Sequence, residues 1–207
     1  MRITELFFSL QGEGKNAGLP TIFVRTTGCN LRCSYCDTTY AYEDGESMEI
    51  PDIVAAMHQW SCHRVCLTGG EPLLQEELAE LVDVLLTKGY TVEVETNGSQ
   101  DISWLTKKAI SASMDIKCPS SGMHMEMNMD NIGLLRPRDQ LKFVIGTRED
   151  YDYARGIINR YTPRGQVVMQ PVWKSEVALA DWIIREEIDV RLSIQLHKIL
   201  WGDRKGL

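Results

Sequence analysis

Apolar and polar positions along the chain follow two alternating rhythms. Residues 21–28, "TIFVRTTG", are a nearly continuous apolar run closed by glycine, as in a strand covered on both faces. Residues 51–60, "PDIVAAMHQW", open with proline and then space apolar residues as a helix does. "RVCLTGG" (64–70) is a short strand ending in glycines, and "PLLQEELAELVDVLLTKGY" (72–90) is an amphipathic helix stopped at Gly89. "TVEVETNG" (91–98) alternates and ends in a turn signal, and "ISASMDIKCP" (110–119) is a strand ended by proline. "DQLKFVIG" (139–146), a helix over 148–161, "GQVVMQPV" (165–172), a helix over 175–187 and a last strand over 190–200 complete the pattern.

Strand and helix in alternation predict an α/β fold with parallel strands and crossover helices. About six such units are too few for a closed eightfold barrel of roughly 250 residues, so a partial, splayed (β/α)6-type barrel is expected. The 207 residues contain no exact repeat and no low-complexity linker, which predicts one domain over 1–207. Ligands of such sheets sit at the carboxyl ends of the strands. The unusual residues gather there: Thr27-Gly28-Cys29, Gly69-Gly70-Glu71 and Thr96-Asn97-Gly98, with Lys117, Gln170 and His197 closing later strands. Alternation in "LSIQLHK" puts Ser193, Gln195 and His197 on one strand face, a candidate wet barrel interior.

Composition narrows the class. A formal charge of −7 argues against a nucleic-acid scaffold with a basic face. No stretch reaches the roughly 18 apolar residues of a membrane span. The start, "MRITELFFSLQGEG", lacks a signal-peptide layout, so a cytoplasmic protein is expected. Its six cysteines then read as thiols or metal ligands rather than disulfides. Cys66, inside "RVCLT", reads as a buried structural thiol.

Three cysteines, Cys29, Cys33 and Cys36, stand in the spacing C-x3-C-x2-C. On a [4Fe–4S] cluster they leave one iron without a protein ligand, open to a substrate or cofactor. A zinc site completed by a distant ligand such as His63 is the alternative, but the second ligand pair of zinc sites is absent. The cysteine motif, with Tyr35 just before its last member, resembles the signature of the radical S-adenosylmethionine (SAM) superfamily. "LTGGEP" (67–72) resembles the GGE motif of that superfamily, in which the backbone and the glutamate hold the SAM amino group.

"FSLQGEG" (8–14), "CDTTYA" (36–41) and "QLHK" (195–198) together resemble the 7-carboxy-7-deazaguanine synthase family, over residues 6–201. The resemblance implies the partial barrel of the radical SAM superfamily and conversion of 6-carboxy-5,6,7,8-tetrahydropterin to 7-carboxy-7-deazaguanine. In that reaction a 5′-deoxyadenosyl radical takes hydrogen from C6, the ring contracts, ammonia leaves, and SAM is regenerated, with Mg²⁺ assisting. It further implies a homodimer and a one-electron donor such as flavodoxin. For the substrate it implies Glu13 and the turn Leu10, Gln11 and Gly12 on the pterin's donor edge. Arg25, a charge inside an apolar strand, is implied on the substrate carboxylate, with Thr68 and His197 as further contacts. For SAM it implies Tyr35, Asp37, Gly69, Gly70, Glu71, Glu95, Lys117 and Gln170, and for Mg²⁺ it implies Thr38 with substrate oxygens and water.

Two features depart from the pattern. The cysteine spacing is short where some members carry a long insertion, so their cluster-loop architecture is not carried over, and "ILWGDRKGL" continues past a point where some members end, so neither is a role for a C-terminal carboxylate. Met123, Met125, Met127 and Met129 alternate in "MHMEMNM"; thioethers suit Cu(I), but a loop capping the core is the reading adopted. Two rival functions share the cysteines: an activase that installs a glycyl radical on a partner protein, which has no need of "SLQGEG", and an iron–sulfur electron carrier, which has no need of "GGEP".

Overall fold

The computed structural model describes residues 1–172, 175–202, 204 and 206. The C-terminal carboxylate, on Leu207, lies outside the described residues. One nine-stranded sheet carries the fold, in the order β3-β1-β2-β4-β5-β6-β7-β8-β9. The strands are β1 (Arg2–Leu10), β2 (Pro20–Thr26), β3 (Glu46–Ser47), β4 (Arg64–Gly69), β5 (Thr91–Thr96), β6 (Ser111–Ile116), β7 (Gln140–Ile145), β8 (Gln166–Pro171) and β9 (Arg191–Leu192). From β2 through β9 every neighbouring pair is parallel; β1 runs antiparallel to β2 and to β3. The sheet is open, and the expected partial barrel is the observed architecture.

The helices are α1 (Ile50–Met57), α2 (Leu78–Thr87), α3 (Asn131–Leu134), α4 (Arg148–Tyr161), α5 (Glu176–Arg185) and α6 (Leu196–Trp201). Pro51 sits in the first turn of α1, and a capping box between Thr147 and Asp150 starts α4. α2 packs on β5, α4 on β7 and α5 on β8. Along the central strands the outward residues, such as Leu67, Val94, Met114 and Phe143, are fully buried aliphatic and aromatic core. The inward residues are polar: Thr68, then Glu93 and Glu95, Ser113 and Asp115, Gln140 and Lys142. The parallel strands therefore alternate because their inner face lines a cleft instead of a second hydrophobic layer.

Three expectations are corrected. β1 was not anticipated, because a register shift between Ile3 and Glu5 breaks its alternation; Phe7 stacks on Phe23 at 4.8 Å and Phe8 on Trp60 at 6.1 Å. The helix expected from Pro72 begins only at Leu78, after a 3-10 turn at Pro72–Leu74 capped by the Glu71 side chain. The last strand is two residues long, so His197 does not close a strand. β9 pairs with β8 only at Arg191 and Leu192; beyond them Leu196 N donates to the Gly12 carbonyl at 2.9 Å and the chain turns into α6. Ser193 N still donates to Met169 O at 3.0 Å, but the next ladder bond would need the N–H that Pro171 lacks, so the period-2 pattern does not extend the strand.

The methionine stretch behaves as a cap. Met127 is buried and its sulfur accepts from Lys117 N at 3.3 Å, Met123 and Met129 pack on the core, and Met125 is 81% exposed.

Candidate active site

Two edges of the sheet build the site. At the carboxyl ends of β2, β4 and β5 lie the cysteine loop, Gly69-Gly70 and Asn97. Backbone bonds join the first two: Gly70 N to Thr26 O at 3.2 Å and Glu71 N to Gly28 O at 2.8 Å. A Cβ on Gly70 would stand 2.1 Å from the Gly28 carbonyl oxygen and 2.9 Å from Cys29 Cβ, so only glycine permits this approach. We predict that Gly70→Ala, which forces the cysteine loop outward, lowers SAM cleavage about tenfold or more, the scale of a 1–3 kcal/mol overpacking cost. The check is 5′-deoxyadenosine formation under dithionite alongside unchanged far-UV circular dichroism.

The second contribution comes from the opposite edge. Leu10 ends β1 beside Pro20, the start of β2, and the 11–18 segment then folds up inside the barrel. Lys15 N donates to Gln140 Oε1 at 2.9 Å, Asn16 Nδ2 to Glu93 Oε2 at 2.9 Å, and Gly14 N to Ser193 Oγ at 3.0 Å. This segment is the floor of the cleft and carries Gln11, Gly12 and Glu13.

The resulting cleft, about 530 Å³, is lined by every residue anticipated for the site except Glu71. The Glu71 carboxylate turns inward and is fully buried; it accepts from Leu73 N at 3.0 Å, Thr96 Oγ1 at 2.8 Å and Asn97 N at 2.6 Å. Burial pushes its carboxyl up to about 7, against those three donors. The carbonyls of Gln11 and Gly12 each already accept a backbone N–H, from Gly18 and Leu196. Arg25 gives Nε to Glu5 Oε1 at 2.7 Å, an ion pair that Tyr40 joins at 2.8 Å, while lining the cleft. Thr68 Oγ1 and Gln11 Nε2 hold the two oxygens of Glu95 at 2.8 and 3.0 Å. Thr38 Oγ1 donates to Asp37 Oδ1 at 2.9 Å, and Lys198 reaches Asp37 Oδ2 at 3.2 Å from α6. His197, also on α6, packs against Gly12.

Sequence reasoning missed Lys142 and Asp115. Lys142 Nζ lies 2.8 Å from Glu13 Oε2 and 3.2 Å from Asp115 Oδ1, and Asp115 Oδ2 holds Lys117 at 2.7 Å. The signal that singled out Arg25, a charge in an apolar strand, was present for Lys142 in "QLKFVI" and was not applied. Gln195 Nε2 donates to the other Glu13 oxygen at 2.9 Å. Burial alone would raise the Glu13 pKa, but Lys142 and Gln195 lower it from 4.5 to about 2. A carboxylate depressed by folding adds stability above its unfolded pKa of 4.5, and loses it as pH falls toward the folded value near 2. The shift corresponds to about 3 kcal/mol. Urea unfolding at pH 5 and pH 3 should therefore lose less stability in Glu13→Gln than in the parent chain; equal losses would contradict this.

The cysteines suit a cluster. All three line the cleft, Leu31 N points at Cys29 Sγ at 3.4 Å, Asn97 Nδ2 at 3.8 Å, and burial pushes the Cys33 thiol up while the Lys117 charge opposes that rise. Donors and positive charge around thiolates match iron–sulfur ligation. Among the described residues, no three histidine, cysteine or acidic side chains converge as ligands of a single ion would; a cuboidal cluster takes each thiolate on a different iron. His63 precedes the start of β4 while Gly69 ends it, roughly 20 Å apart at strand rise. The zinc alternative therefore lacks its fourth ligand. The Tyr35 hydroxyl and Gln170 Oε1 are buried, line the cleft and have no partner among the described residues, as suits polar groups awaiting a ligand.

Residues 23–115 match the radical SAM superfamily. A 7-carboxy-7-deazaguanine synthase from Methanospirillum hungatei is 41% identical over 202 residues, spanning 97% of this chain and 85% of that one. The chain belongs to the 7-carboxy-7-deazaguanine synthase family. A second synthase of this name, from Thermoplasma acidophilum, is 39% identical with both chains fully covered. The solved structure of QueE from Escherichia coli has a TM-score of 0.76 at 22% identity, covering 95% of this chain and 94% of that one, and shares the fold. As a member of the synthase family, the chain is a radical SAM enzyme of deazapurine biosynthesis, a lyase using a [4Fe–4S] cluster and SAM. Among the described residues no helix is long and apolar enough to cross a membrane.

Proposed function

We propose that residues 1–207 form one radical SAM domain that converts 6-carboxy-5,6,7,8-tetrahydropterin to 7-carboxy-7-deazaguanine and ammonia. The observation that carries this reading is Glu13, an ionised carboxylate on the floor of the cleft that also holds the three cysteines. A pterin offers adjacent N–H donors along one edge. Lys142 and Gln195 take one position on each Glu13 oxygen, which leaves lone pairs for that edge. Leu10, Gln11 and Gly12 frame the same edge, and Thr68 and His197 flank it. The Arg25 guanidinium supplies donors for the substrate carboxylate. Thr38 offers one hydroxyl to Mg²⁺, whose other ligands are substrate oxygens and water.

Cys29, Cys33 and Cys36 hold the cluster and leave one iron open to SAM. Tyr35, Asp37, Gly69, Gly70, Glu95, Lys117 and Gln170 bind SAM, with Glu71 acting through the backbone it holds. When bound, the cluster and SAM together supply the 5′-deoxyadenosyl radical that abstracts hydrogen from C6 of the pterin. The chain's own work is to exclude water and hold C6 near that radical. The assembly is a homodimer in the cytoplasm, reduced by a one-electron donor such as flavodoxin. Substrate deuterated at C6 tests the assignment. Deuterium should enter SAM and 5′-deoxyadenosine with ammonia released; unlabelled nucleoside with no ammonia would overturn it.

A further inference from the structure

The cleft contains two buried charges that neither the sequence motifs nor the reaction account for, Lys142 and its partner Asp115, and of these Lys142 is the one that touches Glu13. It is the third residue of β7, where its neighbours Leu141 and Phe143 point outward into the core. Only 8% of the residue is exposed. Burying an ammonium is costly unless it is paired. Lys142 is paired twice, to Glu13 at 2.8 Å and to Asp115 at 3.2 Å, and Asp115 is paired again to Lys117. The chain Glu13–Lys142–Asp115–Lys117 thus runs from the cleft floor to the neighbourhood of Cys33. Each step joins adjacent elements: the floor segment to β7, β7 to β6, and β6 to the residue after it.

We infer that Lys142 is a positioning residue which, braced by Asp115, fixes the orientation and charge of Glu13 so that its free lone pairs meet the substrate's donor edge. The inference rests on the proposed pterin substrate. Backbone bonds from Glu13 N to Gln11 Oε1 and from Gly14 N to Ser193 Oγ anchor the segment, but they leave the direction of the Glu13 carboxylate open. Two side chains set it: Lys142 from β7 on Oε2 and Gln195 from the start of α6 on Oε1. Both are buried, and Lys142 is the charged one, itself paired with Asp115. The groups facing Glu13 are Lys142 on β7, Gln195 and His197 at α6, and Asp37, which shares the Gln195 amide at 3.4 Å and is itself paired with Lys198. Lys142 contributes most of the attraction. Asp115 and Glu13 hold its ammonium in the protonated form against the cost of burial.

The test compares the parent enzyme with Lys142→Met, Lys142→Arg, Glu13→Gln and the double variant Lys142→Met/Glu13→Gln, all with reconstituted cluster. The readouts are the KM for the carboxytetrahydropterin, kcat, and the pH profile of KM between pH 6 and 9. Lys142→Met is expected to raise KM about thirtyfold or more, the lower range of losing one partner of a buried charge pair, with a smaller fall in kcat. Its KM should rise further toward pH 6, where the parent's is flat, because unpaired Glu13 takes up a proton. Lys142→Arg should recover most of the loss, and the double variant should be no worse than Glu13→Gln alone. If Lys142→Met does not fold, Lys142→Gln, which keeps a neutral donor beside Glu13 and leaves the Asp115–Lys117 pair intact, carries the comparison with the same directions of change.

Additive losses in the double variant, or a pure kcat loss with a pH-independent KM, would overturn the positioning role. Failure of the substrate assignment looks different. There, no variant alters pterin binding and the parent forms no deazapurine, while SAM cleavage under dithionite persists.

Discussion

Cys29→Ser is expected to abolish SAM cleavage, a loss on the order of 10³-fold or more, together with the visible absorbance of the cluster. The thiolate is the iron ligand, and a serine hydroxyl at the same place does not ionise to replace it. With two thiolates left, the open iron ceases to be a single, defined coordination position. Cys29 is also the sulfur that receives the Leu31 and Asn97 donors, so its loss removes the groups that hold the loop around the cluster. Cys62→Ser and Cys118→Ser are the internal controls. Cys62 precedes β4 at the edge away from the cysteine loop, Cys118 is fully buried, and neither lines the cleft. Both should retain iron. A Cys29→Ser protein that still bound iron at four per chain and cleaved SAM would contradict the ligand assignment.

Glu13→Gln should lower kcat/KM for the carboxytetrahydropterin by about 10²–10³-fold, while dithionite-driven SAM cleavage without substrate stays within about twofold of the parent. Glutamine fits the space but presents an NH₂ group where a second acceptor is needed. The same NH₂ would face either Lys142 or Gln195, both of which donate to Glu13. Two donors then confront each other in a buried site, which is costly. The split between the two activities is the point of the measurement, because it separates substrate recognition from radical generation. A parallel loss of both would mean that Glu13 maintains the fold of the cleft and not its specificity.

Much of the site was legible because chemistry-bearing residues stood at strand ends. The cysteine spacing, "LTGGEP" and Asn97 all follow strands that the apolar runs located correctly. Arg25, Glu95 and Gln170 stood out as polar residues in or at the ends of strands, and the same criterion would have found Lys142 and Asp115. The alternation in "TVEVET" had a further meaning: parallel strands covered on both faces read as continuous apolar runs, and period 2 here marks a polar barrel interior. The floor segment could not be placed. Nothing in "QGEGKNAG" states that it folds back between strands; that follows from Gln140, Glu93 and Ser193, three residues far along the chain. The C-terminal segment misled because "LSIQLHK" fits a strand, but the ladder on β8 stops at Pro171, which has no N–H to give, and the chain turns into α6. Glu71 shows the limit of motif transfer: it stands where the GGE motif places it, but its carboxylate braces Thr96 and Asn97 instead of lining the cleft.

The most direct measurement of the central claim is anaerobic turnover. The reconstituted enzyme is given dithionite, SAM, Mg²⁺ and 6-carboxy-5,6,7,8-tetrahydropterin, and 7-carboxy-7-deazaguanine is counted by mass spectrometry against SAM consumed. The account predicts many product molecules for each SAM lost. Cleavage of SAM to 5′-deoxyadenosine with no deazapurine would contradict it.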